Sequence, residues 1–155
     1  MDIKKTANSF ANFTIKRIAE IFGITVFCAG VLLLLALITY SPEDPNFIFP
    51  ENTKIDNILG FQGSFVSDVF FQSIGLVSYF FSFTLIITGI NIIRSKEFFL
   101  IIENIFFAII YCIFGTLFFA HFYSEAFALY INGNGGFIGN YLNQTFLNSI
   151  ILINE

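Results

Sequence analysis

Residues 21–42 read IFGITVFCAGVLLLLALITYSP, and this charge-free stretch decides the fold class of the chain. Two more charge-free runs follow, Val69 to Ile93 and Asn104 to Tyr123, and the last extends back past Glu103 to Phe98. Because a bilayer core about 30 Å thick is crossed by roughly 20 helical residues, each run is long enough to span it. The sequence predicts an all-α integral membrane protein with three transmembrane helices and one further short interfacial or re-entrant helix.

The basic residues predict the orientation of these spans. Four of the seven lie within residues 4–17, ahead of the first run, and Arg94 and Lys96 lie between the second and third. Only Lys54 lies elsewhere. Short segments rich in Lys and Arg remain in the cytoplasm. The amino terminus and the turn between the second and third spans are therefore expected inside, and the other connections outside.

A single membrane domain over residues 1–155 follows from this pattern. In chain order its expected segments are a cytoplasmic amino terminus (1–17), a first span (18–40), an outer loop (41–68), a second span (69–93), a cytoplasmic turn (94–97), a third span (98–121) and an outer segment (122–155). The short amphipathic helix is expected over residues 140–153, where apolar residues recur at helical spacing between four amide side chains. That segment reaches only about 21 Å, too short to cross the bilayer.

Composition excludes other classes of protein. The chain is 56% hydrophobic, 19% aromatic and 12% charged, with 24 Phe and a mean hydropathy of +0.80. A water-soluble domain of this length and composition would have too few polar residues to cover its surface. No basic stripe with interleaved aromatic residues is present, so direct nucleic-acid binding is not expected. The first run is too long for a signal peptide and lacks a good cleavage site, so it is expected to remain as an anchor.

No catalytic, cofactor-binding or metal-binding residue is predicted. Cys28 and Cys112 fall near the middle of spans, where they serve as small apolar residues. Glu103 is the one ionisable residue inside an apolar stretch. A snorkelling carboxylate explains it, with a functional intramembrane acid as the alternative. His121 stands alone at the end of the third run, either as a plain interfacial residue or as a pH-responsive or ligand-binding one.

Small residues at helical spacing predict how the spans pack. They are Thr25, Ala29 and Ala36 in the first span, Gly75, Ser78, Ser82 and Gly89 in the second, and Ala108, Cys112, Thr116 and Ala120 in the third. Such stripes let helix backbones approach closely, so we expect a three-helix bundle. The sequence leaves open whether each stripe serves a contact within the chain or one between copies.

The two outer connections carry the specific motifs. Residues 40–46 read YSPEDPN, in which two prolines stop the first helix, and residues 57–63 read NILGFQG. Ser67 or Asp68 is expected to cap the second span. After the third span, residues 135–139 read GGFIG, whose glycines let the chain reverse.

In these motifs the chain resembles the amino-terminal membrane domain of the FtsK/SpoIIIE family of bacterial DNA translocases. The resemblance covers about residues 37–140 and also includes the pair Gly75 and Tyr79. It departs from the family at Ser64 and in having Phe where the family has Trp. The residues expected to shape the loops or to contact partners are Tyr40, Pro42, Asp44, Pro45, Asn57, Gly60, Gly63, Asp68, Gly135, Gly136 and Gly139.

The resemblance implies an anchor of the bacterial inner membrane that acts at the division septum. In the family this domain has four spans, multimerises the protein, recruits cell-division proteins and precedes a linker and a cytoplasmic hexameric ATPase. The expected partners are membrane lipid, septal division proteins and further copies of the chain, with no cofactor. The phosphate-binding loop of the motor is absent from residues 1–155, so no enzymatic activity is expected. The chain ends about where a fourth span would begin, and a truncated product is expected.

Two other classes of function remain open. A small transporter or permease subunit should show polar clusters at mid-membrane depth or inverted repeats, and neither pattern is visible. A membrane sensor would bind a ligand with its outer loops.

Overall fold

The computed structural model describes residues 3–45, 54–123 and 132–147, and most of these are helical. The elements are α1 (Ile3–Ile38), α2 (Gly60–Ile74), α3 (Val77–Ser95), α4 (Leu100–Phe122) and α5 (Gly136–Leu142), which continues into one π-helical turn (Asn143–Leu147). Three segments are long and apolar enough to cross a membrane, namely Asn8–Ile38 of α1, α3 and α4. The predicted all-α fold with three transmembrane helices is confirmed. The sides of the membrane on which the connections lie stay a prediction.

Helices α1 and α3 form the most extensive helix pair of the bundle. Their backbones approach at three glycines: an added Cβ would lie 2.8 Å from Ile93 Cγ1 at Gly23, 2.8 Å from the Ile86 nitrogen at Gly30, and 2.5 Å from the Phe27 nitrogen at Gly89. Close approach of this kind is typical of helix packing in membranes. There the hydrophobic effect does not drive helices together, and small residues allow the close van der Waals packing that does.

The small-residue stripe predicted for the first span is only partly right. Ala36 is buried, but Thr25 and Ala29 are exposed, because the face of α1 that meets α3 passes through Gly23, Val26, Gly30, Leu33 and Leu37. The stripe of the third span is confirmed, and that of the second is confirmed from Ser78 to Gly89, whereas Gly75 is buried but precedes the helix of that span. Gly75, Ser78, Ser82 and Gly89 are buried, as are Ala108, Thr116 and Ala120, while Cys112 is half-buried.

The predicted second span, residues 69–93, is not one helix. The chain breaks after Ile74, because Gly75 has φ +58° and ψ −139°, a conformation open to glycine and unfavourable for other residues. The span begins at Val77, and α2 occupies part of the segment predicted as an outer loop. The capping prediction for Ser67 and Asp68 is therefore wrong, since both lie inside α2.

Polar contacts tie the helices together at the end opposite this break. Glu20 of α1 bonds to Lys96 at 2.8 Å and to Arg17 at 2.5 Å. Lys96 has φ +61° and ends α3, so the ion pair fixes the α3–α4 turn to α1. Along the spans, Asn104 of α4 donates to the Thr88 hydroxyl of α3 at 2.9 Å.

The short helix near the carboxyl terminus begins earlier than predicted. It starts at Gly136, not at residue 140, and reaches Leu147 through the π-helical turn. The predicted remainder, residues 148–153, lies outside the described residues.

Candidate functional site

The sequence motifs gather at one end of the bundle, here named the loop end. At this end α1 and α4 finish and α3 begins. Two clusters lie there. The first cluster joins the α1–α2 connection to α1 through Tyr40, Asp44, Asn57, Gly63 and Asp68. The second cluster joins the α2–α3 break to α5 through Gly75, Asn134, Gly135, Gly136 and Gly139.

Asp44 closes the loop between α1 and α2. Its carboxylate is buried and accepts hydrogen bonds from the backbone N–H groups of Asp56 at 2.8 Å and Asn57 at 3.0 Å. Its own N–H donates to the Ser41 carbonyl at 3.2 Å, which forms a four-residue turn with Pro42 in the second position. The two ends of the loop are therefore held together, and the buried charge is matched by two donors.

Asn57 caps the carboxyl end of α1. Its buried amide donates to the carbonyls of Ala36 at 2.9 Å and Thr39 at 3.2 Å, and its oxygen accepts from the Leu59 N–H at 3.0 Å. The last carbonyls of a helix have no partner within it, so a side chain from the loop satisfies them. A Cβ on Gly63 would overlap the Asn57 oxygen, and only glycine fits there.

Tyr40 and Asp68 connect α1 to the middle of α2. The Tyr40 hydroxyl donates to the Asp68 carboxylate at 3.1 Å, and its ring packs on Phe71 with the ring centroids 4.9 Å apart. From α3, the Tyr79 hydroxyl donates to the Leu37 carbonyl at 3.3 Å. Phe71 is fully buried against Leu33 and Leu37, so these polar bonds surround the hydrophobic core.

The second cluster holds the break between α2 and α3. The Leu76 N–H donates to the Asn134 carbonyl at 2.9 Å. Gly136 has φ +65°, and a Cβ there would lie 2.6 Å from the Gly75 nitrogen. Asn134 is fully buried, and its amide donates to the Tyr123 carbonyl at the end of α4. One residue therefore meets α3 with its backbone and α4 with its side chain.

Gly135 and Gly139 seat α5 against α4. A Cβ on Gly135 would lie 2.5 Å from the Thr116 carbonyl oxygen and 2.7 Å from Ala120 Cβ, and a Cβ on Gly139 would overlap the same carbonyl. The small-residue stripe of the third span therefore packs against glycines of the same chain. These contacts account for the stripe without a second copy of the protein.

The structure brings eight of the eleven predicted site residues into these clusters, and the exceptions are Pro42, Pro45 and Gly60. Pro42 is exposed at the surface of its turn. Gly60 has open space around it and is required only for its φ of +66° where α2 begins. Pro45 is buried and accepts from the Ser64 hydroxyl at 3.4 Å. Asn134 was missed as a site residue, although the repeated Asn-Gly of residues 132–135 is a turn signal that could have pointed to it.

The polar groups of the two clusters are engaged in holding helices and loops together. The carboxylates of Asp44 and Asp68 already accept hydrogen bonds from the protein. Within the described ranges, no three His, Cys, Asp or Glu side chains lie close enough together to hold a metal ion. His121 is exposed and lies 3.2 Å from the Asn143 side chain. The hydrogen bonds of the two clusters therefore join α1, α2, α4 and α5 to one another.

Comparison with known proteins identifies the relatives of this arrangement. The chain is 26% identical over 98 residues to a protein of Rhizobium meliloti named DNA translocase FtsK, an alignment covering 63% of the chain and 11% of that relative. It is 33% identical over 79 residues to the protein of the same name in Caulobacter vibrioides, covering 51% of the chain and 10% of the relative. The chain thus matches about a tenth of the length of these relatives. No solved structure matches it.

A family model supplies the decisive comparison. The model describes the four-transmembrane region of the DNA translocases FtsK and SpoIIIE, and it matches residues 15–152. The matched range contains both clusters and all three candidate spans apart from the first residues of α1. The chain is therefore a multi-pass protein of the inner membrane and belongs to the family of the membrane region of the FtsK/SpoIIIE translocases.

Proposed function

We propose that this chain anchors a bacterial DNA translocase in the inner membrane and directs it to the division septum. The observation that carries the proposal is the first cluster, in which Asp44 and Asn57 tie the α1–α2 connection to the end of α1. These bonds hold the two described ends of the connection, residues 41–45 and 54–57, in one arrangement. An ordered surface favours recognition by a partner protein, because binding then costs little conformational entropy.

The proposed role is anchoring and scaffolding without catalysis. Residues 1–155 contain no Gly-x-x-x-x-Gly-Lys-Ser/Thr sequence for binding nucleotide phosphates. The two clusters use their carboxylates and amides to join helices, which leaves no reactive group assembled. DNA translocation is the activity named for the relatives, and in this proposal the present chain contributes the membrane attachment to it.

The proposed orientation places the loop end outside and the amino terminus in the cytoplasm. It is supported by the charges at the two ends of the bundle. Arg17, Arg94 and Lys96 lie at the end where α3 meets α4, whereas Lys54 is the one Lys or Arg among the described residues of the loop end. Basic residues favour the cytoplasmic side. The partners proposed for the loop end are therefore septal proteins with domains outside the membrane.

Multimerisation of the chain is proposed to use faces other than the small-residue stripes. Gly89 of the second-span stripe packs on α1, and Thr116 and Ala120 of the third-span stripe pack against Gly135 and Gly139. What remains on α4 is a bulky apolar surface that includes Phe106, Phe107 and Phe114, each more than half exposed. Further copies are proposed to meet through this surface.

Imaging in dividing cells tests the proposed targeting. A fluorescent protein fused to the amino terminus, the proposed cytoplasmic end, should concentrate at midcell. Because a septum contains two adjacent membranes, the reference is an unrelated three-span protein of similar size carrying the same label. Septal enrichment no greater than that of the reference, with normal insertion, would contradict the targeting role.

A matched pair of variants ties this result to the first cluster. Asp44→Asn should reduce septal enrichment, because an amide supplies one oxygen acceptor where the carboxylate supplies two. Glu43→Gln makes the same chemical change at an exposed neighbour and should leave enrichment unchanged. Equal septal enrichment of the two variants would show that targeting does not depend on the bonds made by Asp44.

A further inference from the structure

Helix α2 lies beside the end of α1, not beyond it. A groove of about 330 Å³ lies between them, lined on one side by Leu59, which precedes α2, and by Gln62, Gly63 and Val66 of α2, and on the other by Ala29, Leu32, Leu33 and Ala36 of α1. Farther along α2, Phe71 packs on Leu33 and Leu37. Since α1 continues to Ile38, α2 is level with the last ten or so residues of that helix.

This level falls inside the membrane. Arg17 and Glu20 mark one boundary of the apolar part of α1, and from there to Ile38 the helix is about 27 Å long, close to the bilayer core of about 30 Å. Residues 29–38 of α1 therefore lie in the half of the bilayer nearer the loop end, and α2 lies alongside them.

The polarity of α2 is inverted relative to a helix in water. Ser64 and Ser67 are 1% and 0% exposed, while Phe61 and Val69 are 48% and 45% exposed. A water-facing helix buries its apolar stripe and exposes its polar residues. The one charged residue of α2, Asp68, is turned toward the Tyr40 hydroxyl. The exposed residues of α2 are Phe61, Gln62, Phe65, Val66 and Val69.

Helix α5 repeats this pattern next to α2, on which it packs. Phe137 and Tyr141 are exposed one turn apart with stacked rings 6.2 Å apart, as Phe61 and Phe65 of α2 are at 6.4 Å. Asn132, in the connection before α5, donates to the backbone carbonyl and the side-chain oxygen of Gln72 near the end of α2. Both helices therefore direct aromatic residues away from the protein interior.

We propose that α2 is embedded among the acyl chains of the leaflet nearer the loop end, with Phe61, Phe65, Val66 and Val69 in contact with lipid. A helix satisfies its own backbone groups, so it can lie in hydrocarbon without crossing it. The break at Gly75 then lets the chain turn from α2 into α3 without leaving the membrane. The hydrocarbon of this leaflet is the one occupant proposed for the exposed face, and the inference is independent of septal targeting.

The absence of Trp from the chain permits a direct test. Phe65→Trp and, one turn away, Phe61→Trp each introduce a single emitter on the exposed face of α2. Phe83→Trp, half-exposed within the α3 span, is the lipid-facing control, and Glu43→Trp, exposed in the turn, is the aqueous one. Each chain is reconstituted into phosphatidylcholine vesicles after circular dichroism has shown an unchanged helix content.

Two quenchers distinguish the environments. We expect phosphatidylcholine brominated on its acyl chains to quench Phe65→Trp to an extent similar to Phe83→Trp, and iodide in the buffer to quench only Glu43→Trp. Phe61→Trp should behave like Phe65→Trp, and either variant suffices if the other fails to fold. Quenching of both α2 probes by iodide would place the face in water and overturn the proposal. Protection from both quenchers would overturn it as well, by showing that a protein surface, such as a second copy, covers the face.

Discussion

The side-chain oxygen of Asn57 occupies the space that a Cβ on Gly63 would need. The two residues are six positions apart, three residues before the start of α2 and one turn into it. Because Asn57 also caps the end of α1, the glycine makes room for the bond that attaches α2 to the first span. The NxxGxxG motif thus has a physical basis in this pair.

We expect Gly63→Ala to destabilise the protein more than Gly60→Ala. At Gly60 the substitution introduces only the strain of a positive φ, about 1 kcal/mol, into open space. At Gly63 it forces Asn57 from its place, at an expected cost of about 2–3 kcal/mol. Denaturant unfolding in micelles, followed by circular dichroism, measures both.

A double-mutant cycle with Asn57→Ala assigns the cause. In that background the cost of Gly63→Ala should fall by about 1 kcal/mol or more, because the overlapping oxygen is gone. Some cost should remain, since Leu59 Cβ would still lie 2.5 Å from the new methyl group. Additive effects of the two substitutions would rule out the steric relationship.

Gly75→Ala should disrupt the junction of α2, α3 and α5. Alanine is strained at the φ of +58° that Gly75 adopts. Its methyl group would also overlap the Asn134 carbonyl, which accepts a hydrogen bond from the Leu76 N–H. Gly115→Ala is the matched control in a span, where the methyl group would meet only the end of the Val77 side chain at 3.0 Å. Thermal unfolding should show a large loss for the first variant and a small one for the second. Comparable losses would mean that the break at Gly75 is not specifically held by Asn134.

Thr116→Leu should weaken the packing of α5 on α4 more than Phe118→Leu. Thr116 is fully buried beneath Gly135 and Gly139, whereas Phe118 is about half exposed. A larger side chain at 116 pushes α5 away, while the change at 118 alters a surface that faces outward. The native cysteines are replaced by serine and a single cysteine is placed at Ala120. If α5 moves away from α4, this cysteine should react faster with a thiol reagent. Equal labelling rates in the two variants would show that α5 is not seated on this stripe.

The three spans could be predicted from the sequence because run length and charge alone determine them. The break at Gly75 could not. The run from Val69 to Ile93 carries no charge, and within it Gly75 has the spacing of a helix-packing residue. What holds its positive φ is the Asn134 carbonyl, which lies far away in the sequence.

The site residues were predictable as a group, but their pairing was not. Motifs at 40–46, 57–63 and 135–139 selected most of the residues in the two clusters. That Asp44 bonds the backbone of Asn57, or that Tyr40 reaches Asp68, depends on how α2 lies against α1. The packing face of α1 was misassigned for the same reason, since Gly23 and Gly30 become decisive only when α3 is in place.

The loop end, which carries both clusters, is proposed to face the outer side of the membrane, and the opposite end of the spans to face the cytoplasm. Fusions of alkaline phosphatase, which is active only outside, after Asn52, Ser95 and Asn132 test it most directly, with a cytoplasmically active reporter at the same positions as the matched control. We expect phosphatase activity at Asn52 and Asn132 and none at Ser95, with the control reporter giving the reverse. Phosphatase activity at Ser95 with none at Asn52 and Asn132 would contradict it.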